Sequence, residues 1–278
     1  MGTRALVLGG GGVTGAAWEL GLLAGLAEHG VDLSGADLVV GTSAGASAGA
    51  QLTSGRSLAE LFQAQLAPPG NDPGPKMSPR LLLQWARAAA SSRDPVQVAV
   101  RLGRLAMKAK TIPQEQRLDM IAARLPVHQW PGQRLLVTAV DVQSGELTAF
   151  GAASGAGLVE AVAASMSAPG VWPPINIGGR HWIDGGVRSP VNADLAAGHE
   201  RVVVIAPVGR GLTGKSLAAA VEGLRAGGSL VAVVEPDGRS AEFIGRNGLD
   251  PELRAPAARA GHAQAPAEAA RVAAVWTG

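Results

Sequence analysis

The chain has 278 residues, of which 47% are hydrophobic and 17% charged, so it can bury a full core in one large domain or two small ones. Its formal net charge of +2 is too small for the electrostatic footprint of a nucleic-acid-binding protein. It contains no cysteine, and this excludes disulfides, thiolate metal sites and a cysteine nucleophile.

The N-terminal part of the chain alternates strand and helix patterns. The stretch "RALVLGGGG" predicts a short buried strand that ends in a glycine turn, and the following residues have helical periodicity up to Gly30. The segment "DLVVG" predicts a second strand, and "AGASAGAQLTSG" predicts a second helix made almost entirely of small residues. This alternation favours parallel strand pairing.

The pattern changes between residues 68 and 130. A Pro/Gly-rich loop is followed by three helical segments, around residues 81–90, 96–110 and 115–125. Because this segment interrupts the strand–helix alternation, we predict that it is a helical cap inserted above the carboxyl ends of the strands, where it admits a lipid.

The second of these helices combines an apolar face with a basic stripe. One interpretation is contact with an anionic lipid surface, and the alternative is a helix packed on the core with its charges in water. The apolar face comprises Val98, Leu102 and Leu105, and the stripe comprises Arg101, Arg104 and Lys108.

Strand patterns return at residues 134–142 and 146–151, joined by the turn residues "QSG". A helix over residues 158–166, a loop over 167–179, a short strand in "HWIDGG" and the strand "RVVVIAPV" follow. The fold class predicted from this order is a three-layer α/β sandwich with a mainly parallel central sheet, forming one domain over residues 1–278. The tail beyond residue 250 contains either a docking helix or a loose one.

No apolar run approaches the roughly 20 residues that span a bilayer, and the first residues leave no room for a secretory signal. We therefore expect a cytoplasmic protein that is soluble or bound peripherally to a membrane.

A lone serine occupies the junction between the second strand and the second helix. Gly41, Ser43 and Gly45 form a G-x-S-x-G motif there, the context in which a serine lies on a sharp elbow with its hydroxyl exposed at the carboxyl end of the sheet. The alternative is a serine that only caps the helix. The context favours a nucleophile.

A serine nucleophile requires a base. Among the five histidines, four fall in surface or capping contexts, and His181 alone lies near another promising feature. That feature is Asp184, which ends a short apolar strand and precedes Gly185 and Gly186. The bland interpretation of Asp184 is a turn residue.

These pieces together resemble the patatin-like phospholipases. The resemblance rests on the glycine turn Gly9 to Gly12, the elbow around Ser43, the stretch "ASMSAPGVWPP", and Asp184 with its two glycines, in the order of that family. The closing stretch "AGHAQAPAEAARVAAVW" is also similar to the last helix of bacterial members, so the resemblance covers nearly the whole chain.

The resemblance implies a serine acyl-ester hydrolase of lipids. Ser43 would be the nucleophile, Asp184 its base in a dyad without histidine, and the N–H groups of Gly10, Gly11 and Gly12 would form the oxyanion hole. No metal or organic cofactor is implied, and the partners are a lipid substrate and, peripherally, a membrane. Thr14 departs from the family, which commonly has Arg or Lys there, and this leaves open a lipid-binding or scaffold protein.

Two nucleotide-binding patterns compete with this interpretation. The residues from Gly10 to Gly15 fit G-x-G-x-x-G, but the second strand lacks the terminal acid that would hold a ribose. The residues from Gly209 to Ser216 fit G-x-x-x-x-G-K-S, with Lys215 as the phosphate ligand. Too little sequence follows for the sheet of a P-loop domain, so a chance match is the better account.

Overall fold

The computed structural model describes residues 2–68, 74–75, 77–209, 216–244 and 247–278. The strands are β1 (Arg4–Leu8), β2 (Leu38–Thr42), β3 (Leu135–Asp141), β4 (Leu147–Phe150), β5 (Ile175–Ile177), β6 (Arg180–Asp184), β7 (Arg201–Ile205) and β8 (Leu230–Val234). The helices are α1 (Gly12–Glu28), α2 (Ala44–Leu52), α3 (Leu58–Leu66), α4 (Pro79–Ala90), α5 (Pro95–Lys108), α6 (Gln114–Ala122), α7 (Leu158–Ser165), α8 (Leu217–Ala226), α9 (Gly238–Ile244) and α10 (Arg254–Trp276).

The strands form one sheet in the order β5-β6-β3-β2-β1-β7-β8, with β4 paired to β3 beside this path. The neighbouring strands β3, β2, β1, β7 and β8 pair in parallel. The strands β4, β5 and β6 pair antiparallel. Leu8 lies opposite Gly41 on β2 and opposite Ile205 on β7, so these three strands end at the same edge. The predicted glycine turn and the serine elbow therefore meet at the carboxyl edge of the sheet.

Helices cover both faces of the sheet. Successive residues of β1 point to opposite sides: Leu6 and Leu8 join the larger core, while Ala5 and Val7 join the core on the other face. The larger core includes residues of α1, α2, α7 and α10, and the opposite face is covered by α8 and α5. This is the predicted three-layer α/β sandwich with a mainly parallel sheet, and the fold class is confirmed.

The tail beyond residue 250 docks on the domain. Helix α10 approaches α1 so closely that a Cβ at Gly21 would lie 2.0 Å from the carbonyl oxygen of Ala258. At the end of the helix, the Trp276 indole N–H donates to the carbonyl of Asp32 over 2.8 Å. The docking-helix alternative is therefore the correct one.

The prediction of a loop over residues 167–179 is wrong at its end. Ile175–Ile177 is the short edge strand β5, which pairs with β6. Three residues directly after two prolines carry almost no strand signal, because the pairing partner, not the local sequence, makes them a strand.

The three helices of the predicted cap have different surroundings. Helix α4 has no buried residue and is attached through the Trp85 indole N–H, which donates to the Pro169 carbonyl over 2.9 Å. Helix α5 buries Val98 and Leu102 in a cluster with residues of β3 and β6, and α6 buries Ile121 in the larger core. Of the apolar face of α5, Val98 and Leu102 are thus packed on the protein, whereas Leu105 is half-buried. A lipid-admitting role for residues 68–130 stays a prediction.

Candidate active site

Ser43 occupies the sharp turn between β2 and α2. Its φ of 53° and ψ of −113° place a non-glycine residue in a region that L-residues rarely adopt, so the backbone is strained there. The Ser43 N–H donates to the side-chain oxygen of Ser165 over 2.9 Å. This bond from α7 holds the elbow in its strained conformation, and Ser165 is a support that the sequence analysis did not assign.

The two glycines of the motif are required because strand and helix nearly touch. A Cβ at Gly45 would lie 2.1 Å from the carbonyl oxygen of Leu8, and a Cβ at Gly41 would lie 2.6 Å from the Cα of Ala46. Both distances are far below van der Waals contact with backbone atoms that cannot move aside. Positions 41 and 45 can therefore hold glycine but no larger residue.

Asp184 reaches Ser43 from the end of β6. The Ser43 hydroxyl donates to Asp184 Oδ2 over 2.8 Å, and the Gly186 N–H donates to Oδ1 over 2.7 Å. Asp184 is buried, with 8% of the residue exposed. At Gly185, a Cβ would lie 2.3 Å from Thr138 Oγ1, so the chain turns tightly against β3 directly after Asp184. One oxygen of the carboxylate is thus anchored, and the other faces the serine.

Burial changes the acid–base properties of this carboxylate. Desolvation raises the pKa of Asp184 to about 6, because the charged form loses its water. The hydrogen bonds from Gly186 and Ser43 and the positive charge of Arg117 oppose this rise. At neutral pH the group is ionised, yet it is a stronger base than an ordinary aspartate.

The glycine turn after β1 faces the elbow. A Cβ at Gly10 would lie 3.5 Å from Ser43 Cβ, and Gly12, with a φ of 68°, begins α1. The Gly10 N–H donates to the Pro190 carbonyl over 2.7 Å, so in this conformation it is engaged. Within the described ranges, the N–H groups of Gly11 and Gly12 have no protein acceptor. Two of the three predicted oxyanion donors are therefore available.

Thr14 braces the same turn against the C-terminal part of the chain. It is fully buried, and its N–H donates to the Gly248 carbonyl over 3.2 Å. The positive charge near the dyad comes instead from Arg117 of α6. The Arg117 side chain is 1% exposed, and its guanidinium lies 3.9 Å above the Trp172 ring. Arg117 could not be predicted from the sequence, because nothing in its local pattern separates it from a surface arginine.

A pocket of about 410 Å³ opens beside Ser43 and Asp184. This volume is within the usual range for small-molecule sites. Its walls are mainly apolar, with Gly11 and Gly12 on one side. Other lining residues come from α4, from the α7–β5 connection and from α6: Leu82, Trp85, Met166, Trp172 and Arg117. The pocket therefore places an apolar surface next to the Ser43 hydroxyl.

None of the five histidines lies at the dyad. His181 is on β6 with its ring beside Asn176, and His262 stacks on Phe62 at 4.6 Å and pairs with Glu28. The other three, His29, His128 and His199, have ring nitrogens within hydrogen-bond distance of backbone carbonyls close in sequence. The interpretation of the four histidines other than His181 as surface or capping groups fits this placement, and the Ser43 hydroxyl has a carboxylate partner.

A buried amide connects the elbow strand to the loop after Asp184. The side-chain NH₂ of Asn192 donates to Thr42 Oγ1 over 3.1 Å and to the carbonyl of Gly185 over 3.2 Å. Asn192 is fully buried and has a φ of 48°. It fixes the two halves of the dyad relative to each other, and the sequence analysis missed it because Asn in a turn is common.

We expect Asn192→Ala to lower the free energy of unfolding by about 2–4 kcal/mol, since buried partners lose their bonds and Ala disfavours positive φ. Asn192→Gly removes the same bonds but tolerates the backbone, so it should be the less destabilised of the two. Urea unfolding followed by circular dichroism measures both. Equal stability of the Ala variant and the wild type would contradict this role for Asn192.

The chain belongs to the patatin-like phospholipase family, because the model of that family matches residues 6–197. A search of curated proteins finds no matching relative. Among solved structures, VipD from Legionella pneumophila is similar with 14% identity and a TM-score of 0.47, over 97% of this chain and 67% of VipD. The type III effector protein ExoU is similar with 18% identity and a TM-score of 0.37, over 95% of this chain and 53% of ExoU.

Three other expectations concern metals, membranes and nucleotides. The described residues contain no cluster of His, Asp and Glu able to hold a metal ion. Among the helices described, none has the length and apolar character needed to cross a bilayer. Residues 210–215 of the G-x-x-x-x-G-K-S pattern, which include Lys215, lie outside the described residues.

Proposed function

We propose that the protein hydrolyses acyl esters of lipids, with Ser43 as nucleophile and Asp184 as general base. The observation that carries the proposal is the 2.8 Å hydrogen bond from the Ser43 hydroxyl to Asp184 Oδ2, made at a strained elbow beside an apolar pocket. Membership of the patatin-like phospholipase family supports a lipid substrate.

In the acylation step, Ser43 Oγ attacks the ester carbonyl carbon while Asp184 Oδ2 takes the hydroxyl proton. The carbonyl oxygen becomes an oxyanion, for which the N–H groups of Gly11 and Gly12 at the start of α1 are the proposed donors. Collapse of this intermediate breaks the bond to the alcohol, which leaves with the proton from Asp184. The products are an acyl-Ser43 enzyme and the free alcohol.

In the deacylation step, water attacks the acyl carbon and gives its proton to Asp184. The second oxyanion collapses, the Ser43 oxygen leaves and recovers the proton, and the fatty acid is released. The anchor from Gly186 to Asp184 Oδ1 keeps Oδ2 directed at the serine through both steps. Each role is filled by a group of the chain itself.

A fluorophosphonate probe tests the nucleophile directly. We expect it to label Ser43 covalently, since its phosphorus adopts the tetrahedral geometry that the glycine N–H groups stabilise. Peptide mass mapping locates the adduct. An adduct on Ser47, Ser165 or Ser167 would contradict the elbow assignment.

The matched functional measurement is hydrolysis of a lipid panel by the wild type and Ser43→Ala. The proposal expects fatty acid release by the wild type and none above background by the variant. If neither protein releases fatty acid from any lipid, the chain is a lipid-binding or scaffold member of the family instead of an enzyme.

A further inference from the structure

Helices α4 and α5 carry a concentration of positive charge that the rest of the chain lacks. Residues 77–112 contain seven Lys or Arg and a single Asp, a net charge of +6, although the whole chain carries +2. The remainder of the protein is therefore net negative. A local field of this sign attracts anionic partners to one side of the molecule.

The cations converge on a groove of about 760 Å³ between the two helices. No Asp or Glu is among the described residues that line it. In the described part of the chain, none of its cations forms an ion pair with a carboxylate. The cations are Arg80, Arg101, Arg104, Lys108 and Lys110.

Apolar side chains are also exposed on the two helices that form this groove. Leu82 and Leu83 of α4 are 49% and 50% exposed, and Met107 of α5 is 49% exposed. Helix α4 packs on the protein through Trp85 and Ala88, and Leu82 and Leu83 remain half exposed in the described structure. Exposed apolar side chains and cations on the same helices are the pattern of surfaces that lie in the headgroup region of a bilayer.

The same surface borders the catalytic pocket. Leu82 lines the pocket that contains Ser43 and Asp184, and it is also half exposed to solvent. Val208, 40% exposed, lies on the pocket wall as well. An acyl chain that leaves a bilayer at α4 would therefore meet an apolar path into the site.

We propose that the groove cations together with Leu82, Leu83 and Met107 form a docking surface for an anionic lipid bilayer. The five cations face the lipid phosphates and anionic headgroups, and the apolar side chains enter the interface. A polyanion such as nucleic acid would bind the cations but would not bury the exposed leucines. The delivery of substrate to Ser43 rests on the proposed function, whereas the docking itself does not.

The test measures binding without hydrolysis. The full-length Ser43→Ala protein is co-sedimented with vesicles of phosphatidylcholine alone and of phosphatidylcholine mixed with phosphatidylglycerol, at low and high NaCl. We expect strong binding to the anionic vesicles at low salt, a large loss at high salt because the charges are screened, and weak binding to neutral vesicles. Equal binding to both vesicles would overturn the proposal.

Charge variants localise the surface. Since each cation near an anionic membrane strengthens binding about fivefold, Arg101→Gln, Arg104→Gln and Lys108→Gln together should weaken it on the order of 100-fold. The control removes three exposed cations outside the groove with the same loss of charge: Arg56→Gln, Arg239→Gln and Arg259→Gln. Equal weakening in the two triple variants would show a net-charge effect and overturn the assignment to α5.

Leu83→Gln tests the apolar part of the surface, since Leu83 lines neither the groove nor the pocket. It should weaken binding to anionic vesicles without changing the salt dependence. If it binds vesicles normally and the groove instead binds an oligonucleotide in a salt-dependent way, the bilayer is the wrong partner. A version of the groove triple variant that keeps Ser43 should hydrolyse a short soluble ester as fast as the wild type, which separates docking from catalysis. If the protein hydrolyses no ester, the proposed function fails, but the vesicle-binding measurement still tests the docking surface.

Discussion

Asp184→Asn is expected to reduce turnover on the order of 10³–10⁴-fold, the loss typical of removing an essential general base. The amide matches the carboxylate in shape, and its oxygen can still accept the bond from the Gly186 N–H that now reaches Oδ1. Its NH₂ group would then face the Ser43 hydroxyl and cannot take a proton. Steady-state hydrolysis of a soluble ester measures the loss.

The histidines provide the control for this prediction. Each His→Gln variant should retain most activity, because the proposed mechanism has no imidazole step. An unchanged melting temperature of Asp184→Asn would show that the loss is chemical. If His181→Gln lost as much activity as Ser43→Ala, a Ser-His-Asp arrangement would replace the dyad.

The second large effect is on the pH dependence of kcat/KM. The pKa of Asp184 is raised to about 6, and only the deprotonated form can act as the base. Activity should therefore be full above this value and fall about tenfold per pH unit below it. The measurement uses an uncharged soluble ester, so that the substrate does not titrate. A profile that stays flat down to the ordinary pKa of aspartate would contradict the role of Asp184.

Arg117 should control the pH at which kcat/KM falls on the acid side of the profile, which we call the acid limb. Its charge lowers the pKa of Asp184, so Arg117→Met should raise that pKa and move the limb to higher pH. Arg117→Lys keeps the charge and should shift the limb less. An electrostatic effect of Arg117 on Asp184 predicts this shift in pH. A loss of packing alone would instead lower kcat at every pH. An unchanged limb in Arg117→Met would contradict the electrostatic role of Arg117.

The local sequence determined those parts of the protein whose structure depends on neighbouring residues. An apolar run before Gly41 predicts a strand, and the small residues around Ser43 predict a tight turn. The stretch of small residues after the turn predicts a helix. The alternation of such units predicts a parallel sheet between helices, and the carboxyl ends of parallel strands necessarily share one edge. The local pattern also singled out Asp184, and the resemblance to a family gave Asp184 and the glycine turn their expected roles beside Ser43.

Only the tertiary structure decided which distant groups meet. Ser43 and Asp184 are 141 residues apart, and their 2.8 Å bond depends on the order of β2, β3 and β6 in the sheet. The Ser165 support of the elbow, the Asn192 bridge and the charge of Arg117 were invisible for the same reason. The engagement of the Gly10 N–H by Pro190 also depends on a loop far along the chain. Such contacts arise from packing between elements, which local propensity does not encode, so a sequence can specify each element without revealing which side chains complete the site.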